Sequence, residues 1–237
     1  YESHYMDEIL FNTSSKLSEV VTAYPALLYS LPRFGIALGF GDKSVAAVCA
    51  ESGVSPRFFL LMCNVCCFDG YEPGISEIKN ADMGQLVPYL KKAHKFYLDN
   101  RLPHISNHLT AILSNMPQRV AKAFNAFFSA YRHEVEQHFG YEEQKVYPHI
   151  EQLLQGQKPN NFEINDFVDE HGSLQDKLSD MNQIIFKYLP ADTTDGDNEA
   201  IDVIFDILQL SADLAKHSLI EEKVLVPYVT YLEKKLR

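Results

Sequence analysis

Apolar residues recur at alternating steps of three and four along most of the chain after Met83, and that rhythm predicts long amphipathic helices. The first covers about residues 84–101, with Leu86, Leu90, His94 and Tyr97 on one face, and is expected to stop near Pro103. The second starts at Pro117 and carries Phe124, Phe128, Tyr131, Val135, His138, Glu142, Val146 and Ile150. A third begins within residues 160–165 and presents Ile164, Phe167, His171, Leu174, Leu178, Met181 and Ile185. After a polar loop over 192–198, a fourth presents Val203, Ile207, Leu210, Leu214, His217, Glu221, Val224 and Tyr228. No strand-like alternation of useful length occurs. Four such rods joined by modest loops predict an all-α protein built on an antiparallel four-helix bundle.

The section up to about residue 75 reads as short helices with strong punctuation. Asp42 can cap a helix over 43–52, and Ser55-Pro56 supplies a cap and a helix-starting proline for 57–68. Gly35, Gly39 and Gly41 mark a turn, while two glycines and a proline within 69–76 mark a linker. The expected division is a small helical unit over 1–75 and the bundle over 76–237.

Charge narrows the function classes. The formal net charge is -11 with a pI near 5.2, and no Lys/Arg cluster offsets it, so nucleic acid is not an expected partner. The apolar run Phe58–Phe68 is shorter than the roughly 18 residues a membrane span needs, and no basic-apolar-small leader pattern opens the chain. The expectation is therefore a cytoplasmic protein with no membrane partner. Cys49, Cys63, Cys66 and Cys67 all lie in the N-terminal third, and their apolar context predicts buried structural thiols rather than a metal or redox pair.

The helical stripes hold the chemistry. His94, His138, His171 and His217 each take a position where Leu or Phe would be expected, one per helix. Two of them open a repeated segment, His138 to Glu142-Glu143 and on to Pro148, and His217 to Glu221-Glu222 and on to Pro227. Histidine and glutamate four residues apart project side by side, and an ionised Glu on a buried stripe costs several kcal/mol unless a cation accompanies it. Imidazole with carboxylate suits iron, manganese or zinc better than calcium or magnesium, and the absence of thiolate argues against a Cys-rich zinc site. Glu142 and Glu221 can each span two metals, leaving open positions for a small molecule. Glu143 and Glu222 fall one residue off the stripe and are expected to be solvated or paired with Lys145 and Lys223. His133 and His149 read as neighbours of the site or as surface and core residues, and His104 and His108 as reserve ligands. Pro148 and Pro227 are expected to kink their helices.

The doubled His-x-x-x-Glu-Glu segment with its hydrophobic-Pro ending, and Asp169-Glu170-His171 between the two copies, resembles the hemerythrin-like HHE cation-binding domain over about residues 84–235. Within that group the chain is most similar to the Repair of Iron Centres proteins. The resemblance implies two non-haem irons, oxo- and carboxylate-bridged, held by His94, His138, Glu142, His171, His217 and Glu221; other divalent metals fit the same donors. It implies a role in nitrosative and oxidative stress, repairing or protecting iron-sulfur centres or handling nitric oxide. The implied partners are oxygen, peroxide or nitric oxide, together with iron-sulfur proteins. Gln175 stands where oxygen-carrying hemerythrins have a further histidine, which weakens an oxygen-transport reading, and Glu-x-x-His pairs of the ferritin-like type are lacking. A gas or redox sensor and a plain metal-binding protein remain alternatives, so turnover is left open.

The N-terminal section resembles a ScdA-type domain through Leu17-Ser-Glu-Val-Val, Tyr24-Pro25 and Phe34-Gly35-Ile36. Gly39-Phe40 replace the adjacent cysteine pair that such a domain carries. The chemistry of that pair is therefore not expected here, which leaves the small unit a docking or homodimerisation role.

Overall fold

A computed structural model describes residues 11–157, 162–170, 174–188 and 199–236. The described chain is all-α, with an isolated antiparallel bridge between Lys16 and Ser44 as its one β-type pairing among the described residues. Two compact units are distinguished: residues 11–90 with Lys216–Tyr231, and the described part of Lys91–Ala215 with residues 232–236.

The first unit opens with α1 (Leu17–Ala23), two 3-10 turns (Pro25–Tyr29 and Leu31–Phe34), α2 (Val45–Ser52), α3 (Pro56–Cys67) and α4 (Ile75–Asn80). Gly35 ends the second turn at φ 76°, a left-handed conformation that glycine adopts without a Cβ penalty. The cap of α2 is Ser44, whose hydroxyl accepts the Ala47 amide at 3.2 Å, and not Asp42. Ser55 caps α3 as its sequence suggests, accepting from the Phe58 amide. Phe34 packs on Phe58, Phe59 and Tyr89 with centroids 5.8, 4.9 and 4.7 Å away. Such pairs add about 0.5–1.5 kcal/mol each beyond their buried area. Cys49, Cys63 and Cys66 are buried in this unit, all four thiols are free, and Cys67 is partly exposed.

The rods follow as α5 (Leu86–Phe96), α6 (Leu102–Leu113), α7 (Gln118–Tyr141), α8 (Tyr147–Leu154), α9 (Ile164–Glu170), α10 (Leu174–Tyr188), α11 (Glu199–Ile220) and α12 (Val226–Leu236). The core of the second unit draws Tyr97, Leu102, Ile105 and Leu109 from the first rod and Phe124, Phe128, Tyr131 and Val135 from α7. Met181 and Ile185 come from α10, and Val203, Ile207, Leu210 and Leu214 from α11. Apart from Leu102, Ile105 and Leu109, which lie at or beyond the expected end of the first helix, these are stripe positions read from the sequence, with Leu174 and Leu178 outside the described side chains.

The prolines behave differently from expectation. The first rod does not stop near Pro103: a five-residue π-helical stretch, Tyr97–Arg101, joins α5 to α6. Two more stretches, Glu142–Val146 and Glu221–Leu225, join α7 to α8 and α11 to α12. In all three, the amide after the stretch bonds five residues back, Leu102 to Tyr97, Tyr147 to Glu142 and Val226 to Glu221. Pro103, Pro148 and Pro227 each stand two residues beyond a stretch. A proline cannot donate to the carbonyl four residues back and its ring crowds that carbonyl. A wider turn just before it relieves the clash while the helix continues. At Pro148 and Pro227, where kinks are expected, the helix carries this wide turn just before the proline.

Candidate metal centre

Each candidate ligand among the described residues owes its position to one of these rods. His94 lies in α5 three residues before its π-stretch, and His138 near the end of α7. Glu142 is the first residue of the second stretch, His217 lies in the last turn of α11, and Glu221 opens the third stretch. Turns that close five residues apart insert an extra residue and re-aim side chains, which is why they recur at functional sites.

His94, Glu142, His217 and Glu221 are buried, at 1, 0, 4 and 1% exposure. Within the rods, His138 Nε2 is 2.7 Å from Glu142 Oε1 and His217 Nε2 is 2.6 Å from Glu221 Oε1. His94 Nε2 is 2.8 Å from Glu142 Oε2. Buried carboxylates held this close to imidazoles present the paired donors that a cation would use. Two carboxylates with imidazoles also have the composition that a borderline transition metal takes, and burial gives the negative charge a strong demand for a counter-charge.

His138 touches Glu142 with its side chain 22% exposed. His171 lies outside the described residues. His133 is exposed. His149 is a core residue, with Nε2 2.8 Å from Glu233 Oε1, an atom that also accepts the Ile164 amide at 2.9 Å.

Two contacts of these residues were not legible in the sequence. The Tyr147 hydroxyl is 3.2 Å from both Glu142 Oε2 and His94 Nε2, inside the buried cluster. Glu143 faces His94 Nδ1 at 2.9 Å, so its partner is this histidine and not Lys145. An ionised carboxylate only accepts, which puts an imidazole proton on Nδ1 and, in the neutral ring, turns the lone pair of Nε2 inward, where it can accept from the Tyr147 hydroxyl or ligate a cation. The ring is fixed further by stacking on Phe139, with centroids 3.9 Å apart and planes 11° from parallel. Lys223 is also re-partnered: it meets Glu72 at 2.9 Å and the carbonyls of Asp69 and Tyr71 at 3.1 and 3.0 Å. Glu222 is exposed.

A family model for the hemerythrin HHE cation binding domain matches residues 86–229, more than half of the chain. The chain belongs to this family. The HHE domain is a cation-binding module, and the matched span contains His94, Glu142, His217 and Glu221. Comparison with curated proteins and with solved structures gives no significant match. No single helix among the described residues is long and apolar enough to cross a membrane.

Proposed function

We propose that this HHE protein is a cytoplasmic non-haem di-iron protein of the nitrosative and oxidative stress response, acting on nitric oxide or related small oxidants and protecting or repairing iron-sulfur centres. The supporting observation is the pair of acids Glu142 and Glu221, both essentially without solvent access and each in contact with the histidine four residues before it. In this reading His94, His138, His171 and His217 hold the metals and Glu142 and Glu221 bridge them. An iron pair in that setting supplies redox chemistry toward a diatomic or peroxidic ligand. The chain's own residues do the rest. Glu143 holds the His94 ring and its tautomer, and Tyr147 places one hydroxyl proton between Glu142 and His94. The N-terminal unit serves as a docking or homodimerisation module.

The test is metal analysis and an electronic spectrum of full-length protein purified without added metal, followed by single-turnover mixing with nitric oxide. About two irons per chain, the spectrum of a coupled ferric pair, and rapid reaction support the reading. A single tightly held ion, or metal exchange without any redox change, overturns it in favour of plain cation binding.

A further inference from the structure

A second constellation of metal-ligating side chains lies away from the buried acids and plays no part in the proposed function. His104 and His108 stand four residues apart on α6, on the same face, with ring centroids 4.3 Å apart. Asp206 of α11 faces them: its Oδ2 is 3.1 Å from His104 Nε2 and 3.8 Å from His108 Nδ1. One ligand atom from each of the three comes within 4.8 Å of the other two.

We propose that His104, His108 and Asp206 form a mononuclear site for a late first-row divalent cation such as zinc, separate from the buried centre. Several observations converge on this. The donor set is two imidazoles and one carboxylate on adjoining helices, a composition that favours zinc-like ions over magnesium or calcium. An i, i+4 histidine pair on one helix face is an inherently bidentate chelate, and both side chains keep ring nitrogens near the same carboxylate oxygen.

The other oxygen of Asp206 is already engaged. Oδ1 accepts from the Arg101 guanidinium at 3.1 Å, and the arginine is 11% exposed. That bond fixes the carboxylate plane and leaves Oδ2 directed at the histidines, the positioning role that outer partners play around metal ligands. The exposures differ in a useful way. Asp206 is 19% exposed and anchored, whereas His104 and His108 are 44 and 43% exposed, so an ion can enter from water without opening the fold. Three protein ligands leave at least one coordination position to solvent. This second ion would therefore exchange freely, in contrast to one held among Glu142, Glu221 and their buried histidines.

Zinc titration of the full-length chain by calorimetry tests the assignment, comparing wild type with the His104→Ala, His108→Ala double variant. Wild type is expected to bind one equivalent more than the double variant, and Asp206→Asn to weaken that equivalent about tenfold or more. Equal stoichiometry and affinity in wild type and double variant would overturn the site. A His104→Gln, His108→Gln pair, which keeps side-chain size, must show the same lost equivalent; if it binds like wild type, the inference fails. Far-UV circular dichroism of each zinc-free variant establishes that folding is intact. In the Glu142→Ala, Glu221→Ala background the equivalent must persist, whatever becomes of the buried centre, so the two readings stand or fall separately.

Discussion

Nδ1 of His94 and Oε1 of Glu143 lie 2.9 Å apart, although the histidine is 1% exposed and the acid 43%. A half-solvated carboxylate thus reaches a buried imidazole and decides which of its nitrogens is available inward. Its chain neighbour Glu142 is fully buried against the opposite nitrogen of the same ring, so one backbone step supplies both contacts.

Glu143→Ala should weaken metal binding about 10- to 100-fold, as loss of an outer-shell partner does, while the fold persists because the side chain is largely at the surface. Competition with a chromogenic chelator measures the first and thermal melting of metal-free protein the second. Unchanged affinity would assign the contact no positioning role.

Tyr147→Phe removes a hydroxyl placed between Glu142 and His94 and nothing of the ring that packs beside them. The metal-free protein should change in stability by no more than about 1.5 kcal/mol, the usual net worth of one hydrogen bond. The rate of reaction with nitric oxide should shift at unchanged metal content, which stopped-flow mixing and metal analysis together resolve.

Replacing both buried acids, Glu142→Gln with Glu221→Gln, should have opposite effects with and without metal. The metal-free variant is expected to be no less stable than metal-free wild type, because each buried carboxylate is costly to desolvate. Metal-loaded wild type should melt higher than its stripped form, and the variant should lose that increment and retain less metal. Thermal melting of the four samples, with metal counts, reads this directly; a variant that keeps both ions and the full increment contradicts bridging by these residues.

The thiols should be inert near neutral pH. Burial pushes Cys49 up to about 11 and, most strongly, Cys63 well above its ordinary value. Burial also raises Cys67 to about 11, against the opposing pull of Lys216. At pH 8 a thiol of pKa about 11 is roughly one part in a thousand thiolate. Modification of native protein by a disulfide reagent should be slow and rise about tenfold per pH unit up to pH 10, with all four cysteines reacting at once after denaturation. Rapid labelling of native protein at pH 7 would contradict this environment.

The sequence by itself determined the rods, their buried faces and the donor types. Stripe residues such as Phe124, Val135, Ile207 and Leu214 are buried where a period near 3.6 puts them, because one helix must cover its apolar face whatever its neighbours are. His94, Glu142, His217 and Glu221 could be picked out because polar residues on such a face demand a reason. What the tertiary structure alone decided follows from departures from that period and from contacts between distant segments. A helix read at 3.6 residues per turn puts Glu143 off the stripe. The π-turn beginning at Glu142 narrows the angle between successive side chains, and α5 brings His94 to meet it. Tyr147 belongs to no stripe, and the same turn brings its hydroxyl to Glu142 and His94. Asp206 pairs with residues roughly a hundred positions earlier, and no local pattern encodes a carboxylate that completes a histidine pair across two helices.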